Sequence, residues 1–199
     1  MEKVLIAAIS FISAILAAGL TLWGKWWLEK KQNNRDAKYL AIRVVCILDT
    51  FIYDCFKVVN DDGTVQGQYP PDGPELQTTT PNLNFDALEV NWNSIPTDIM
   101  HRILSLPNKI DAANCSIGCT WEHVGIDDAI CDRQLEYSKL GLEAYDIIKD
   151  LCQEFDVNIN LFKDRSYAIE GIRQFRIEFL NREIQFRKMT PPKLPQFGL

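Results

Sequence analysis

The sequence predicts an all-α protein in which an N-terminal single-pass transmembrane helix continues into a cytoplasmic bundle of about four to five helices. Apolar residues recur at spacings of three and four along most of the chain, which is typical of amphipathic helices. No run has the pattern of a central strand. One uncharged apolar stretch near the N terminus is long enough to cross a bilayer.

The composition fits one folded unit with an appendage. The 199 residues are 47% apolar and 11% aromatic, which excludes intrinsic disorder. The net charge is −6, and an acidic chain is not expected to bind nucleic acid. We expect a transmembrane anchor at 1–24, a helical soluble domain at 25–190 with an irregular Pro- and Gly-rich loop at 61–84, and a flexible tail at 191–199.

The expected anchor is the uncharged run from Val4 to Leu22. As a helix this run would span about 28 Å, close to the hydrocarbon thickness of a bilayer. Three tryptophans follow it with Lys25 among them, an arrangement that the headgroup layer favours. The residues predicted to form the anchor are Val4, Leu5, Ile9, Phe11, Ile12, Ile15, Leu16, Leu20, Leu22, Trp23, Trp26 and Trp27.

A cleaved signal peptide is the alternative to a retained anchor, because small residues such as Ala17 and Ala18 lie near the end of the run. The run is longer than a usual signal-peptide core, and the segment before it has little net charge, so the sequence favours the anchor. Six bases lie between Lys25 and Arg43, whereas only Lys3 precedes the span. The positive-inside rule therefore places the amino terminus outside and the main domain in the cytoplasm.

The rest of the chain is expected to be helical around the irregular loop, which is either an ordered wrap or a mobile, interactive segment. Asp61 begins this loop, and four prolines lie within it. Residues 84–92 alternate weakly and are expected to be extended. The expected helices run over 25–59, from Pro96 to Leu106, from Asn108 to about Gly125, from Asp127 to Phe155, and from Lys163 to Lys188. The apolar residues of the last helix that are expected to point inward are Ile172, Phe175, Phe179, Leu180 and Phe186.

Charge is uneven along the chain. Residues 25–48 hold six bases and two acids, residues 49–160 hold six bases and twenty acids, and residues 161–199 hold eight bases and four acids. One interpretation places the first and last helices side by side near an anionic membrane. In the other, the bases of the last helix only balance acids on neighbouring helices.

One cluster of soft ligands stands out as a candidate metal site. Cys115, Cys119 and His123 would share one face of a helix, and Cys131 could supply a fourth ligand to zinc. The alternative is that these thiols pack as small apolar groups in a reducing compartment, with disulfides favoured only if the domain faced outward. We expect no bound cofactor or metal.

Other candidate chemistry is sparse. Glu143, Asp146, Asp150 and Glu154 are expected to form a solvated acidic helix face rather than a di-iron site, since no Glu-x-x-His motif accompanies them. His101 is expected to be solvated or interhelical. No phosphate-binding, dinucleotide-binding or hydrolase motif occurs, so we do not expect an enzyme.

These observations favour a membrane-anchored interaction or scaffolding protein. Its expected partners are the lipid bilayer, another protein, and a second copy through the transmembrane helix, where small residues recur at positions 10, 14 and 18. The alternatives are a zinc- or redox-dependent sensor or enzyme using the Cys/His cluster, and a small membrane effector such as a toxin or an exclusion factor.

Overall fold

A computed structural model describes the backbone of residues 2–85, 88, 92–158 and 166–189, and their side chains except those of residues 2–18, 186, 187 and 189. This part of the chain contains no strand beyond one isolated bridge, Val65 to Gln68. The predicted all-α bundle is confirmed. Its helices are α1 (Glu2–Val59), α2 (Thr97–His123), α3 (Ile126–Glu154) and α4 (Ser166–Met189), with a 3-10 turn, Trp92–Ser94, before α2.

Helix α1 changes character along its length. From Gly19 to Asp36 every residue except Gly24 is exposed, so this part of α1 stands outside the bundle. The buried face begins at Ala37 and follows the spacing of three and four that the sequence predicted. Its members are Ala37, Leu40, Ala41, Val44, Val45, Leu48, Phe51, Ile52, Cys55, Val58 and Val59.

Within the residues whose side chains are described, no helix contains a stretch that is long and apolar enough to cross a membrane. The predicted span Val4–Leu22 lies largely outside that range, because the side chains of residues 2–18 are not described. Of the predicted anchor, Leu20, Leu22 and the three tryptophans are described, and all five are exposed. The predicted tail at 191–199 also lies outside the described residues.

Helix α3 packs antiparallel to α1. At one end Lys38 of α1 donates a hydrogen bond to the Asp156 carbonyl just after α3 (2.8 Å). At the other end the side chain of Gln134 donates to the Val59 carbonyl (3.1 Å). We call these the near end, where α1 enters the bundle, and the far end, where α1 stops.

Helix α2 also packs antiparallel to α3. Arg102 pairs with Asp150 in the near half, and the Thr120 hydroxyl donates to Asp132 at the far end (2.7 Å). The α2–α3 turn therefore lies at the far end. Between the two helices, the Tyr137 hydroxyl donates to the side chain of Asn114 (2.8 Å), and burial raises the pKa of Tyr137 to about 12.

The prediction of two helices between Pro96 and Gly125 is wrong. Pro107 lies inside one continuous helix, α2. A proline in a helix interior lacks the backbone donor of its turn and costs about 3 kcal/mol. Burial of Leu106 before it and Ile110 after it against the core offsets that cost.

Helices α1 and α4 do lie side by side, as one interpretation of the charge pattern expected, but their described contact is far from the basic start of α1. A Cβ added to Gly171 of α4 would lie 2.4 Å from the ring of Phe56, near the C-terminal end of α1. Phe56 lies 31 residues beyond Lys25, about 46 Å along the helix. From there α4 runs antiparallel to α3 toward the far end.

The inward face of α4 is shorter than predicted. Ile172 is fully buried, and Phe175 packs against the core. Leu180, predicted to point inward, is 46% exposed. The bundle tapers at the far end because α1 has already ended, so the second half of α4 has fewer helices to pack against. The side chain of Phe186, also predicted inward, lies outside the described residues.

Candidate functional site

A buried polar cluster ties the irregular loop to the bundle at the far end. The side chains of Asp61 and Arg133 are 1% and 5% exposed, and their charged atoms lie 3.3 Å apart. Asp61 Oδ2 accepts hydrogen bonds from the backbone amides of Gln77 (2.9 Å) and Thr78 (2.8 Å) and from the Thr78 hydroxyl (2.6 Å). Arg133 in turn donates to the Thr78 carbonyl (2.9 Å).

Two opposing effects set the pKa of Asp61. Burial raises it, but the hydrogen bonds from Thr78, Gln77 and Gly63 lower it by more, so the pKa of Asp61 lies below its ordinary value. The carboxylate is therefore charged at neutral pH and matches the guanidinium beside it. Among the described residues no buried side-chain nitrogen or oxygen lacks a partner, which is typical of a structural cluster.

The loop after α1 lies against the bundle over its described residues. Gly63 has a positive φ of 76°, and a Cβ there would lie 2.7 Å from Ile130 and 2.9 Å from Pro74, so only glycine fits this turn. Further along, the loop buries Leu83 and Phe85 against the core, and the Phe85 ring meets Trp92 edge to face. Over its described residues, the loop therefore packs on the bundle.

The structure places three of the four candidate metal ligands on one helix face. Cys115, Cys119 and His123 all lie on α2, and all are exposed. Cys131 lies on α3, where it is also exposed. Among the described residues, no three His, Cys, Asp or Glu side chains come together closely enough to hold a metal ion.

The six cysteines divide into two groups, and all are free thiols. Cys55 and Cys152 are buried, and burial raises the pKa of both. Cys46, Cys115, Cys119 and Cys131 are exposed. The expectation that the thiols of the Cys/His cluster pack as small apolar groups is therefore wrong, because Cys115, Cys119 and Cys131 are all exposed.

The predicted acidic face of α3 is only partly solvated. Asp150 pairs with Arg102 and Glu143 with Lys109, and both pairs join α3 to α2. Asp146 pairs with Lys149 on its own helix (2.7 Å), and Glu154 is exposed. Half of this set thus serves helix packing. His101 is exposed on α2, in agreement with the sequence.

An open cleft of about 560 Å³ lies at the near end, between α1, the 3-10 turn and the end of α3. Lys38, Glu154 and Asp156 line it, so its charge is mixed. Lys38 is already bonded to the Asp156 carbonyl.

The second half of α4 carries a feature that the sequence reasoning missed. Ile177, Leu180 and Ile184 form an exposed stripe, out of phase with the buried residues of the same helix. Their spacing of three and four was the available signal. Trp121 and Val124 are also exposed, at the turn between α2 and α3. Large exposed apolar groups of this kind mark interaction surfaces.

These features define a four-helix protein that has exposed apolar surfaces and a structural polar cluster within its described residues. Comparison with protein families, with curated proteins and with solved structures gives no match. The functional argument therefore rests on the residues of this chain.

Proposed function

We propose that the chain is a membrane-anchored helical interaction module, held in the bilayer by the first part of α1 and carrying its bundle in the cytoplasm. The observation that carries this proposal is the length of α1. The helix extends unbroken from Glu2 to Val59, and its residues from Gly19 to Asp36 are exposed apart from Gly24. The uncharged run at 4–22 leads into this exposed segment of the same helix.

The tryptophans after that run support a position at the membrane surface. Lys30 Nζ lies 5.3 Å from the centre of the Trp26 ring, and Lys31 Nζ lies 5.2 Å from that of Trp27. Exposed indoles stacked against lysines suit the headgroup layer, because the rings partition into the interface while the ammonium groups stay near lipid phosphates.

The segment between the span and the bundle acts as a stalk in this proposal. From Leu22 to Ala37 there are fifteen residues, about 22 Å of helix. That length sets the bundle away from the headgroups, so its sides and far end face the cytoplasm. The exposed apolar groups at the far end are then available to a protein partner.

Alkaline extraction of membranes tests the anchor. Ile9→Arg with Ile12→Arg places two charges in the span at a cost of about 3 kcal/mol each, which cancels the few kcal/mol that the apolar run contributes. We expect the wild-type chain to stay in the membrane pellet and the double variant to move to the supernatant. The control is Ile42→Arg with Leu104→Arg, which adds two charges at exposed positions outside the span. This variant should stay in the pellet. A wild-type chain found in the supernatant would contradict the proposal.

Metal content separates the interaction module from the zinc-dependent alternative. We expect the purified full chain to be folded without stoichiometric zinc. One equivalent of zinc in the wild type that is lost in Cys119→Ser would support the zinc-dependent alternative instead. The zinc content depends on the Cys119 thiol only if that thiol binds the ion.

A further inference from the structure

The far end of the bundle carries two exposed apolar patches. The α4 patch consists of Ile177, Leu180 and Ile184, which are 53%, 46% and 50% exposed. The corner patch consists of Trp121 and Val124 at the α2–α3 turn, which are 44% and 68% exposed. Exposing large apolar side chains to water is unfavourable, so burying them against a partner lowers the free energy.

The two patches lie in surroundings of opposite charge. Among the described side chains of residues 173–188, around the α4 patch, four are bases and two are acids. Residues 121–132 around the corner patch include four acids and no Lys or Arg. Opposite charges around apolar centres give both attraction and specificity to a contact.

Both patches lie on the same end of one molecule. Helix α3 begins at the corner patch, and α4 passes beside its first turns. A Cβ added to Gly141 of α3 would lie 3.0 Å from Ile172 of α4, and the Arg173 guanidinium lies 5.2 Å from the centre of the Tyr145 ring. Because α4 runs antiparallel to α3 from these contacts, its second half approaches the first turns of α3. The acidic start of α3 and the basic second half of α4 are thus neighbours.

We propose that the far end binds a second copy of this chain, with the α4 patch of each copy packed on the corner patch of the other. A two-fold axis produces two equivalent contacts of this kind, because each copy offers both patches. The proposal rests on the proposed function in one respect: a shared membrane holds both copies parallel, so that their far ends lie at the same height.

Charge and distance disfavour the other occupants. Packing the α4 patch on its own copy would bring two basic surfaces together. A lipid surface is also disfavoured, because Phe56, where α4 meets α1, lies 34 residues beyond Leu22, about 51 Å along the helix. The α4 patch lies farther still from the proposed bilayer.

Sedimentation equilibrium of the full chain in density-matched detergent micelles tests this pairing. We expect the wild type to be a dimer, and Leu180→Glu and Val124→Glu each to raise its dissociation constant at least tenfold. Leu104→Glu is the matched control, since Leu104 is 43% exposed on the near half of α2 and should leave the dimer unchanged. Glu122→Lys should weaken the dimer, and so should a rise from 50 to 500 mM salt, which screens the charges.

Circular dichroism should show the wild-type helix content for all four variants, which separates loss of the dimer from loss of the fold. A monomeric wild type overturns the pairing. So does a dimer that survives both Leu180→Glu and Val124→Glu, because the transmembrane helix alone then accounts for it. A dimer broken by Leu180→Glu and unaffected by Val124→Glu also overturns it. Membrane extraction reports on the anchor independently of all these outcomes.

Discussion

At the scale of single residues, Asp61 shows most directly how one side chain fixes the position of the loop on the bundle. Asp61 follows the end of α1 and holds the loop in place. Its carboxylate accepts hydrogen bonds from the backbone amides of Gln77 and Thr78, sixteen and seventeen residues later. The sequence marked Asp61 as a turn residue, and that was right. Its pairing with Arg133, 72 residues away, could not be predicted, because only the antiparallel packing of α1 and α3 brings the two together.

Asp61→Asn should destabilise the bundle by about 3 kcal/mol at pH 7, because it leaves the buried Arg133 charge without a counterion. Since the pKa of Asp61 is lowered by folding, its contribution is present above the ordinary value of 3.8 and is lost as the pH falls through the folded-state pKa. The difference in unfolding temperature between the wild type and Asp61→Asn should therefore narrow as the pH falls below about 4.

Thermal unfolding of the full chain in detergent, followed by circular dichroism between pH 3 and 8, makes this comparison. Asp62→Asn is the control, since Asp62 is exposed and bonds only within its own turn, to Thr64 (2.7 Å to the hydroxyl). Equal unfolding temperatures for wild type and Asp61→Asn at pH 7 would show that the pair contributes nothing.

At the scale of elements, helix positions followed from the sequence better than helix limits did. The repeat of apolar residues located α1, α3 and α4 within a few residues, because one buried face is enough to define a helix. Pro107 was wrongly expected to separate two helices. The sequence does not show the packing on other helices that offsets the cost of a proline inside α2. The exposed stripe of α4 was missed because the sequence does not show that the second half of α4 extends beyond the end of α1.

Pro107→Ala should stabilise the protein by about 1–3 kcal/mol, because alanine restores a backbone donor inside α2 and removes a poor helix former. The unfolding temperature of the variant should rise. A fall would mean that the shape which proline gives to α2 is needed for its packing on α3.

Gly171→Ala should destabilise the contact between α4 and α1 by about 1–3 kcal/mol, because its Cβ would lie 2.4 Å from the Phe56 ring. Gly118→Ala is the matched control on α2, where nothing lies within 4 Å of the added Cβ. That variant should be neutral or slightly stabilising, as alanine favours helix. Equal effects of the two substitutions would contradict the packing of α4 on α1.

At the scale of the whole molecule, the all-α class and the order of the helices were readable from the sequence. The arrangement was not, because the charge pattern left open whether the two basic ends of the chain lie together near a membrane or balance acids on neighbouring helices. Packing instead places α4 at the end of α1, so the basic stalk and the basic half of α4 lie at opposite ends of the bundle. In the proposed function, that separation leaves one end of the bundle for the membrane and the other for a partner.

Labelling of the native cysteines with a membrane-impermeant maleimide tests the proposed topology most directly. No thiol precedes Cys46, so every label reports on the bundle. We predict no labelling of intact cells and labelling of the four exposed thiols after permeabilisation. Cys55 and Cys152 should react only after denaturation, because they are buried. Labelling of intact cells would place the bundle outside the membrane and contradict the account.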